Sequence, residues 1–281
     1  MHGLSVIYVI WLREAKTFIR ERSRIVAMIS QPLLYLLLVG QGIASGLHLN
    51  QAPGGLGYLL FMYPGIIGMS VLFTSIVSGI SIIWDREFGF LKEVLVAPVP
   101  RWAVAVGKIL GGATVAMAQA VILIALAPFI GVALSVTVVL KLLAVCFLIS
   151  LAITGLGVFI AVPMRSMQGF QMVMNFLVMP LYFLSGAMFP VSSAPTWMRV
   201  LMTVDPLTYG VDGLRIIVLS AATSSAASEP SLAEAARASG LVRWDLGFDI
   251  AIIGRDQRRD HRPRRRPLQP GERGVSVRTS G

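Results

Sequence analysis

The chain has 281 residues, of which 56% are hydrophobic and only 14% carry a charged side chain. Soluble domains carry roughly a quarter charged residues, so this composition excludes an ordinary soluble domain and indicates an integral membrane protein. The net charge of +10 does not indicate nucleic-acid binding, because nine arginines fall in residues 255–281 alone. A single cysteine, Cys146, excludes an intrachain disulfide and a cysteine metal cluster.

The chain begins with a basic amphipathic segment. Apolar residues recur at helical spacing over residues 4–18, and five Lys or Arg residues fall between residues 13 and 24. We predict a cytoplasmic helix over residues 1–24 that lies against the inner leaflet. The apolar run at 25–47 is long enough to span a bilayer and shows no convincing cleavage site, so we expect it to remain in the membrane.

Further apolar runs follow, separated by polar turns. The predicted second to fifth spans cover residues 58–83, 109–132, 142–162 and 170–189. Lys and Arg concentrate in the turns on the side of the N-terminus, which places the N-terminus in the cytoplasm by the positive-inside rule. We therefore predict an all-α, multi-pass helical bundle in the cell (inner) membrane, with a transmembrane domain over residues 25–219.

A charged stretch interrupts the apolar chain between the second and third spans. Residues 84–97 show the spacing of an amphipathic helix, and Pro98 and Pro100 follow it. A helix lying on the membrane surface would present its charges to an aqueous partner, whereas a solvated loop is the alternative interpretation. The apolar face consists of Trp84, Phe88, Leu91 and Leu95.

The chain changes character after the fifth span. Residues 190–219 mix apolar residues with Pro195, Pro206 and aromatic residues, which predicts short external re-entrant helices rather than a span. Residues 220–245 are small and polar and indicate an external loop. Residues 246–254 contain only the beginning of a sixth span, since about 20 residues are needed to cross. We expect the basic tail at 255–281 to be disordered and not native to this fold.

Several kinds of chemistry have no motif in this chain. No G-x-x-x-x-G-K-[ST] phosphate loop is present, so ATP binding by that device would fall to another subunit. No H-E-x-x-H motif occurs, which disfavours an intramembrane metalloenzyme. A membrane-embedded enzyme that modifies lipids would need a buried acid, base or metal set, and the sequence shows none. The predicted spans hold no charged residue except Lys141 at a boundary, which disfavours an ion-coupled secondary transporter. The ion-coupled transporter and the lipid-modifying enzyme are the two alternative functions.

The spans instead carry small residues, amides and methionines. Gly107 and Gly111 form a G-x-x-x-G pair that favours close helix packing, within the chain or with another subunit. Amides in apolar spans should face protein or a water-filled path, and methionine-rich runs provide flexible packing or an adaptable ligand surface. The candidates for a translocation path are Gln119, Gln171, Met174 and Asn175.

Two blocks of the chain resemble the permease subunits of type-2 ABC exporters, in particular the daunorubicin-resistance-type and nodulation-type branch. The first block, at residues 85–112, reads DREFGFLKEVLVAPVPRWAVAVGKILGG. The second reads FLSGAMFPVSSAPTWMRVL at 183–201 and continues as DPLTYGVDGLR at 205–215. With the order of the spans, the resemblance covers residues 1–250. Family members have six spans, whereas this chain has five and a truncated sixth.

The resemblance implies a transport subunit that is not itself an enzyme and that exports a drug, a lipid or a lipid-linked glycan. It implies pairing with a second permease subunit, expected as a homodimer, and with cytoplasmic ABC subunits that bind ATP and Mg²⁺, while this chain binds no cofactor directly. Residues 84–97 would be the coupling helix that contacts the ATPase. The residues carried over to that role are Asp85, Arg86, Glu87, Gly89, Leu91, Lys92 and Glu93.

Overall fold

The computed structural model describes residues 2–46, 58–89, 99–130, 132, 134–188, 191 and 194–223. Within these residues the chain forms nine α-helices, the short 3₁₀-helix Ala127–Ile130 and no strand, so the all-α prediction is confirmed. The α-helices are α1 (His2–Arg20), α2 (Arg22–Gly46), α3 (Tyr58–Val77), α4 (Ile80–Glu87), α5 (Arg101–Ala125), α6 (Val136–Ala161), α7 (Met167–Leu184), α8 (Thr196–Met202) and α9 (Pro206–Thr223).

Four helical stretches of the described chain are long and apolar enough to cross a membrane. They are Met62–Glu87, Arg101–Ala125, Val136–Ala161 and Met167–Leu184, and α2 contains the shorter apolar stretch Ile25–Tyr35. Helices α5 and α6 begin well before the predicted spans, because α5 starts directly after the extended Pro100 and α6 starts after Ser135, whose side chain caps it. Lys108 and Lys141 therefore lie inside helices.

Helix α1 packs along the first half of α5, and the predicted glycine pair makes the close approach. A Cβ atom on Gly107 would lie 2.9 Å from the Cβ of Ile10, and one on Gly111 would lie 2.6 Å from the Cβ of Glu14. Any larger residue at these positions would push α1 away from α5. The packing role of the pair is thus confirmed within one chain, while the placement of residues 1–24 on the leaflet stays a prediction.

The apolar core lies where α3 contacts α5, α6 and α9. Tyr63, Ile67 and Leu72 of α3 are fully buried in it, and the Tyr63 hydroxyl donates a 2.6 Å hydrogen bond to the carbonyl oxygen of Leu123 in α5. This bond satisfies the only polar group of the tyrosine side chain, so the ring can be buried at little cost.

Helices α8 and α9 occupy the predicted re-entrant region. Helix α9 has 18 residues, longer than the broken sequence indicates, because Pro206 stands at its first position, where a proline needs no hydrogen-bonded N–H. It is largely buried against α3 and α6, and its Arg215 is 1% exposed and donates a 2.8 Å hydrogen bond to the carbonyl of Gly186. The depth of α8 and α9 in the bilayer stays a prediction. The segment 246–254 and the tail lie outside the described residues.

Candidate functional site

The predicted coupling stretch begins inside α4 rather than at the start of a new helix. Helix α4 ends at Glu87, and the following Gly89 adopts a φ of 83°, a left-handed conformation that glycine tolerates because it has no Cβ. The prediction of one helix over residues 84–97 is therefore wrong at its beginning, since Gly89 stops the helix to which residues 84–87 belong. Residues 90–98, with Leu91, Lys92 and Glu93, lie outside the described residues.

Asp85 is the centre of a charge cluster that consists of Arg13, Glu14, Asp85 and Lys108. Its carboxylate pairs with the guanidinium of Arg13 and with the ammonium of Lys108. The Lys108 ammonium also lies 2.5 Å from Glu14 Oε1. Lys108 is 4% exposed and Asp85 is 7% exposed. The cluster therefore ties α1 and α5 to the end of α4 through one buried ion pair, Lys108–Asp85, and through partly buried pairs with Arg13 and Glu14.

The charge cluster is balanced, with two positive and two negative side chains. Burial of a charge is costly unless the charge is paired and hydrogen-bonded. The Lys108 ammonium is paired with Asp85 and Glu14, and it also donates a hydrogen bond to the hydroxyl oxygen of Ser81 at 3.1 Å. The sequence resemblance assigned Asp85 to the surface that meets the ATPase, but the structure places its carboxylate inside the bundle. Any coupling role of Asp85 would act through the helices that it joins.

Arg86 and Trp84 point to the other side of α4, toward the turn between α6 and α7. The Arg86 guanidinium donates hydrogen bonds to the carbonyl oxygens of Val162, at 2.8 Å, and Met164, at 2.5 Å. The Trp84 indole N–H donates to the sulfur of Met167, the first residue of α7, at 2.6 Å. We call these contacts, between Trp84 and Arg86 on one side and residues 162–167 on the other, the turn clamp.

Glu87 and Phe88 form the exposed tip of α4. The Glu87 side chain is exposed, and Phe88 is 81% exposed although its aromatic ring is apolar. Among the described residues, neither side chain makes a hydrogen bond or ion pair with the charge cluster or the turn clamp, and the Phe88 backbone N–H donates to the carbonyl of Trp84 at 2.9 Å as part of the helix end. They therefore leave a charged and an apolar group free to meet a partner.

Gln119 of α5 is buried against α2 and α3 and supplies a hydrogen bond that the backbone of α2 lacks. Pro32 lies inside α2 and has no N–H, so the carbonyl of Met28 loses its usual helical partner. The amide nitrogen of Gln119 donates to this carbonyl at 3.1 Å, and its amide oxygen accepts from the Thr74 hydroxyl. Gln119 thus replaces the hydrogen bond that Pro32 removes from α2. In membrane proteins, neighbouring side chains commonly satisfy a backbone group that a proline leaves unpaired.

The other three candidates for a path lie on α7 and divide between its two sides. Gln171 and Asn175 are exposed, whereas Met174 is 3% exposed and belongs to the apolar core. Gln168 continues the exposed amides by one turn toward the start of the helix. We call Gln168, Gln171 and Asn175 the amide face. The structure therefore separates Met174 from the two candidates beside it in sequence.

Sequence reasoning did not identify Arg13, Glu14 and Lys108 as one site with Asp85. A signal was present, since Lys108 is the only charged residue in the sequence from 102 to 125 and a lysine within a helix so apolar needs an acidic partner. The turn clamp could not have been found in this way, because two of its acceptors are backbone carbonyls.

This helical architecture, with four described stretches long and apolar enough to cross a membrane, is that of a multi-pass membrane protein. The family model described as ABC-2 type transporter matches residues 5–219. The chain therefore belongs to the ABC-2 type transporter family.

Relatives of the chain are named as transport permeases. The ycf38 protein of Cyanophora paradoxa, named as a transport permease, is 29% identical over 215 residues, covering 72% of this chain and 71% of that protein. The inner membrane transport permease YadH of Escherichia coli K12 is 28% identical over 211 residues, covering 73% and 80%. YbhR of the same organism, named as a multidrug ABC transporter permease, is 29% identical over 182 residues, covering 62% and 48%.

Proposed function

We propose that this chain is the permease subunit of an ATP-driven exporter, with ATP and Mg²⁺ bound by a separate cytoplasmic ABC subunit. The observation that carries the proposal is the end of α4. There, the charge cluster and the turn clamp hold α4 to four other helices, while Glu87 and Phe88 stay exposed. A helix end that is bonded to its neighbours on the inside and exposed at its tip suits the transmission of force from a docked ATPase. In this proposal the N-terminus lies on the same, cytoplasmic side.

The amide face of α7 supports a path for an amphiphilic substrate. Exposed amides on an otherwise apolar helix are unfavourable in lipid, and they are satisfied by a second permease subunit or by a polar part of a substrate. In a homodimer whose copies face each other across a path bordered by Gln171 and Asn175, the amides would find polar partners in the other subunit and in the substrate. The substrate class is then a hydrophobic or amphiphilic drug, a lipid or a lipid-linked glycan.

The experiment is a charge reversal at the tip of α4. We expect the tagged chain, extracted in mild detergent, to retain an ABC ATPase, and Glu87→Lys to reduce the retained ATPase at least tenfold by reversing the charge at the docking surface. Lys141→Glu is the matched control, because Lys141 is exposed on α6 and its reversal should leave retention unchanged. The readout is the amount of ATPase per permease on a quantitative gel.

Two results would contradict the proposal. Absence of any ABC ATPase from the wild-type preparation would favour the ion-coupled transporter or the lipid-modifying enzyme. Equal retention by the wild type and the Glu87→Lys variant would remove the tip of α4 from the docking surface.

A further inference from the structure

Three consecutive residues at the end of α4 contact two different parts of the bundle. Asp85 binds α1 and α5 through the charge cluster, while Trp84 and Arg86 bind the turn between α6 and α7. Successive side chains of an α-helix point about 100° apart, so a single turn can reach both sides. A displacement of this turn must therefore act on both sets of contacts.

The turn clamp holds the backbone at the end of α6. Helix α6 ends at Ala161, so the carbonyl of Val162 is one of the last acceptors that have no partner within the helix. The Arg86 guanidinium supplies that partner, and a cation at a helix C-terminus is also favoured by the helix dipole. The Arg86 guanidinium also donates a hydrogen bond to the carbonyl of Met164, so it binds the turn as well as the end of α6.

The same turn is rigidly joined to α7. Only residues 162–166 separate the two helices, and the Ser166 hydroxyl caps α7 by accepting a 3.1 Å hydrogen bond from the backbone N–H of Gly169. Trp84 adds a direct contact with Met167, the first residue of α7. A turn this short and this well bonded can absorb little movement, so α7 should follow α4.

We propose that Trp84 and Arg86 are positioning residues that transmit displacement of α4 to α7, the helix that carries the amide face. In this arrangement, a docked ATPase moves the tip of α4 at Glu87 and Phe88, the turn clamp pulls the start of α7, and the exposed amides change their surroundings. The inference rests on the proposed function and extends it by naming the connection between the ATPase and the path.

The first arm of the test uses the purified permease without an ATPase. Arg86→Ala should raise hydrogen exchange of the hydrogen-bonded backbone amides at 169–171 at least tenfold and leave α1 unchanged, whereas Arg13→Gln should raise exchange in α1 and leave 169–171 unchanged. Arg165→Ala is the matched control, because Arg165 lies in the same turn, is exposed and makes no hydrogen bond or ion pair with the described residues. Unchanged exchange at 169–171 in Arg86→Ala would overturn the turn clamp.

The second arm uses the complex with the co-purified ATPase and a nitroxide at position 172. Cys146→Ser and Met172→Cys place the label on α7, where Met172 is 73% exposed. ATP with vanadate should change the nitroxide spectrum in the otherwise wild-type complex. Arg86→Ala should abolish at least nine-tenths of that change, and Arg86→Lys should restore part of it.

The outcomes separate this inference from the proposed function. Lack of an ATPase in the wild-type preparation would overturn both. A bound ATPase with a full spectral change in Arg86→Ala would overturn only the transmission through the turn clamp, as would a wild-type complex in which ATP and vanadate leave the spectrum of α7 unchanged.

Discussion

The charge cluster and the amide face hold polar groups in an apolar chain in opposite ways. In the charge cluster, Asp85 and Lys108 are buried and bound to partners within the chain. On the amide face, Gln171 and Asn175 are exposed on the outside of α7. Buried, paired charges fix the arrangement of helices, whereas exposed amides contribute nothing to the bundle that contains them. The difference separates polar residues that stabilise the fold from those that the described fold leaves exposed, which are the ones assigned to the proposed path.

Removal of Lys108 should give the largest loss of stability. Lys108→Met keeps the volume but leaves Asp85 and Glu14 with one cation between them, and removal of one partner from buried ion pairs costs about 3–5 kcal/mol. Thermal unfolding of the detergent-purified protein measures the loss. Lys141→Met, at an exposed lysine of α6, should change stability by less than about 0.5 kcal/mol.

A double variant tests whether the loss of stability comes from the ion pair between Lys108 and Glu14. Lys108→Met combined with Glu14→Gln should lose less than the two single losses added together, because neutralising Glu14 removes part of the unpaired negative charge. Additive losses would show that Lys108 and Glu14 act independently despite their 2.5 Å separation.

Gln119 should show an intermediate effect, because it is buried like the charge cluster but neutral. Gln119→Leu leaves the Met28 carbonyl and the Thr74 hydroxyl without this partner, at about 1–3 kcal/mol. The measurement is again thermal unfolding in detergent. Pro32→Ala supplies the missing N–H to Met28, so Gln119→Leu should cost less in that background. An equal cost in both backgrounds would contradict the role of Gln119 in completing α2.

Much of the fold was predictable because hydrophobic runs of span length carry a strong signal. The helix ends were not, since Arg101 and Val136 begin helices inside stretches that the span prediction left as loops. A helix continues beyond the apolar run as long as capping and packing support it, and hydropathy does not register this. The G-x-x-x-G pair was predictable as a packing site, but its partner α1 was not.

The candidate site was predictable in position and less so in detail. The charged stretch after the second span drew attention to residues 84–89, but the same pattern could not distinguish the buried Asp85 from the exposed Glu87. That distinction depends on Arg13 and Lys108, which are remote in sequence. The helical period on α7 likewise could not assign Met174 to the core and Asn175 to the surface until the packing of α7 against α3 was known.

The amide face should give the smallest change in stability and a clear change in function. Gln171→Leu with Asn175→Leu replaces two exposed amides, so unfolding should shift by less than about 0.5 kcal/mol. The amides should matter for the homodimer or the path, so the double variant should lose either dimer content in native mass spectrometry or the ATP-dependent response of a label at position 172. Gln171→Asn with Asn175→Gln keeps both amides and serves as the control. A double leucine variant that matches the wild type in both measurements would show that the amide face faces lipid alone, and the path would have to be sought elsewhere in the bundle.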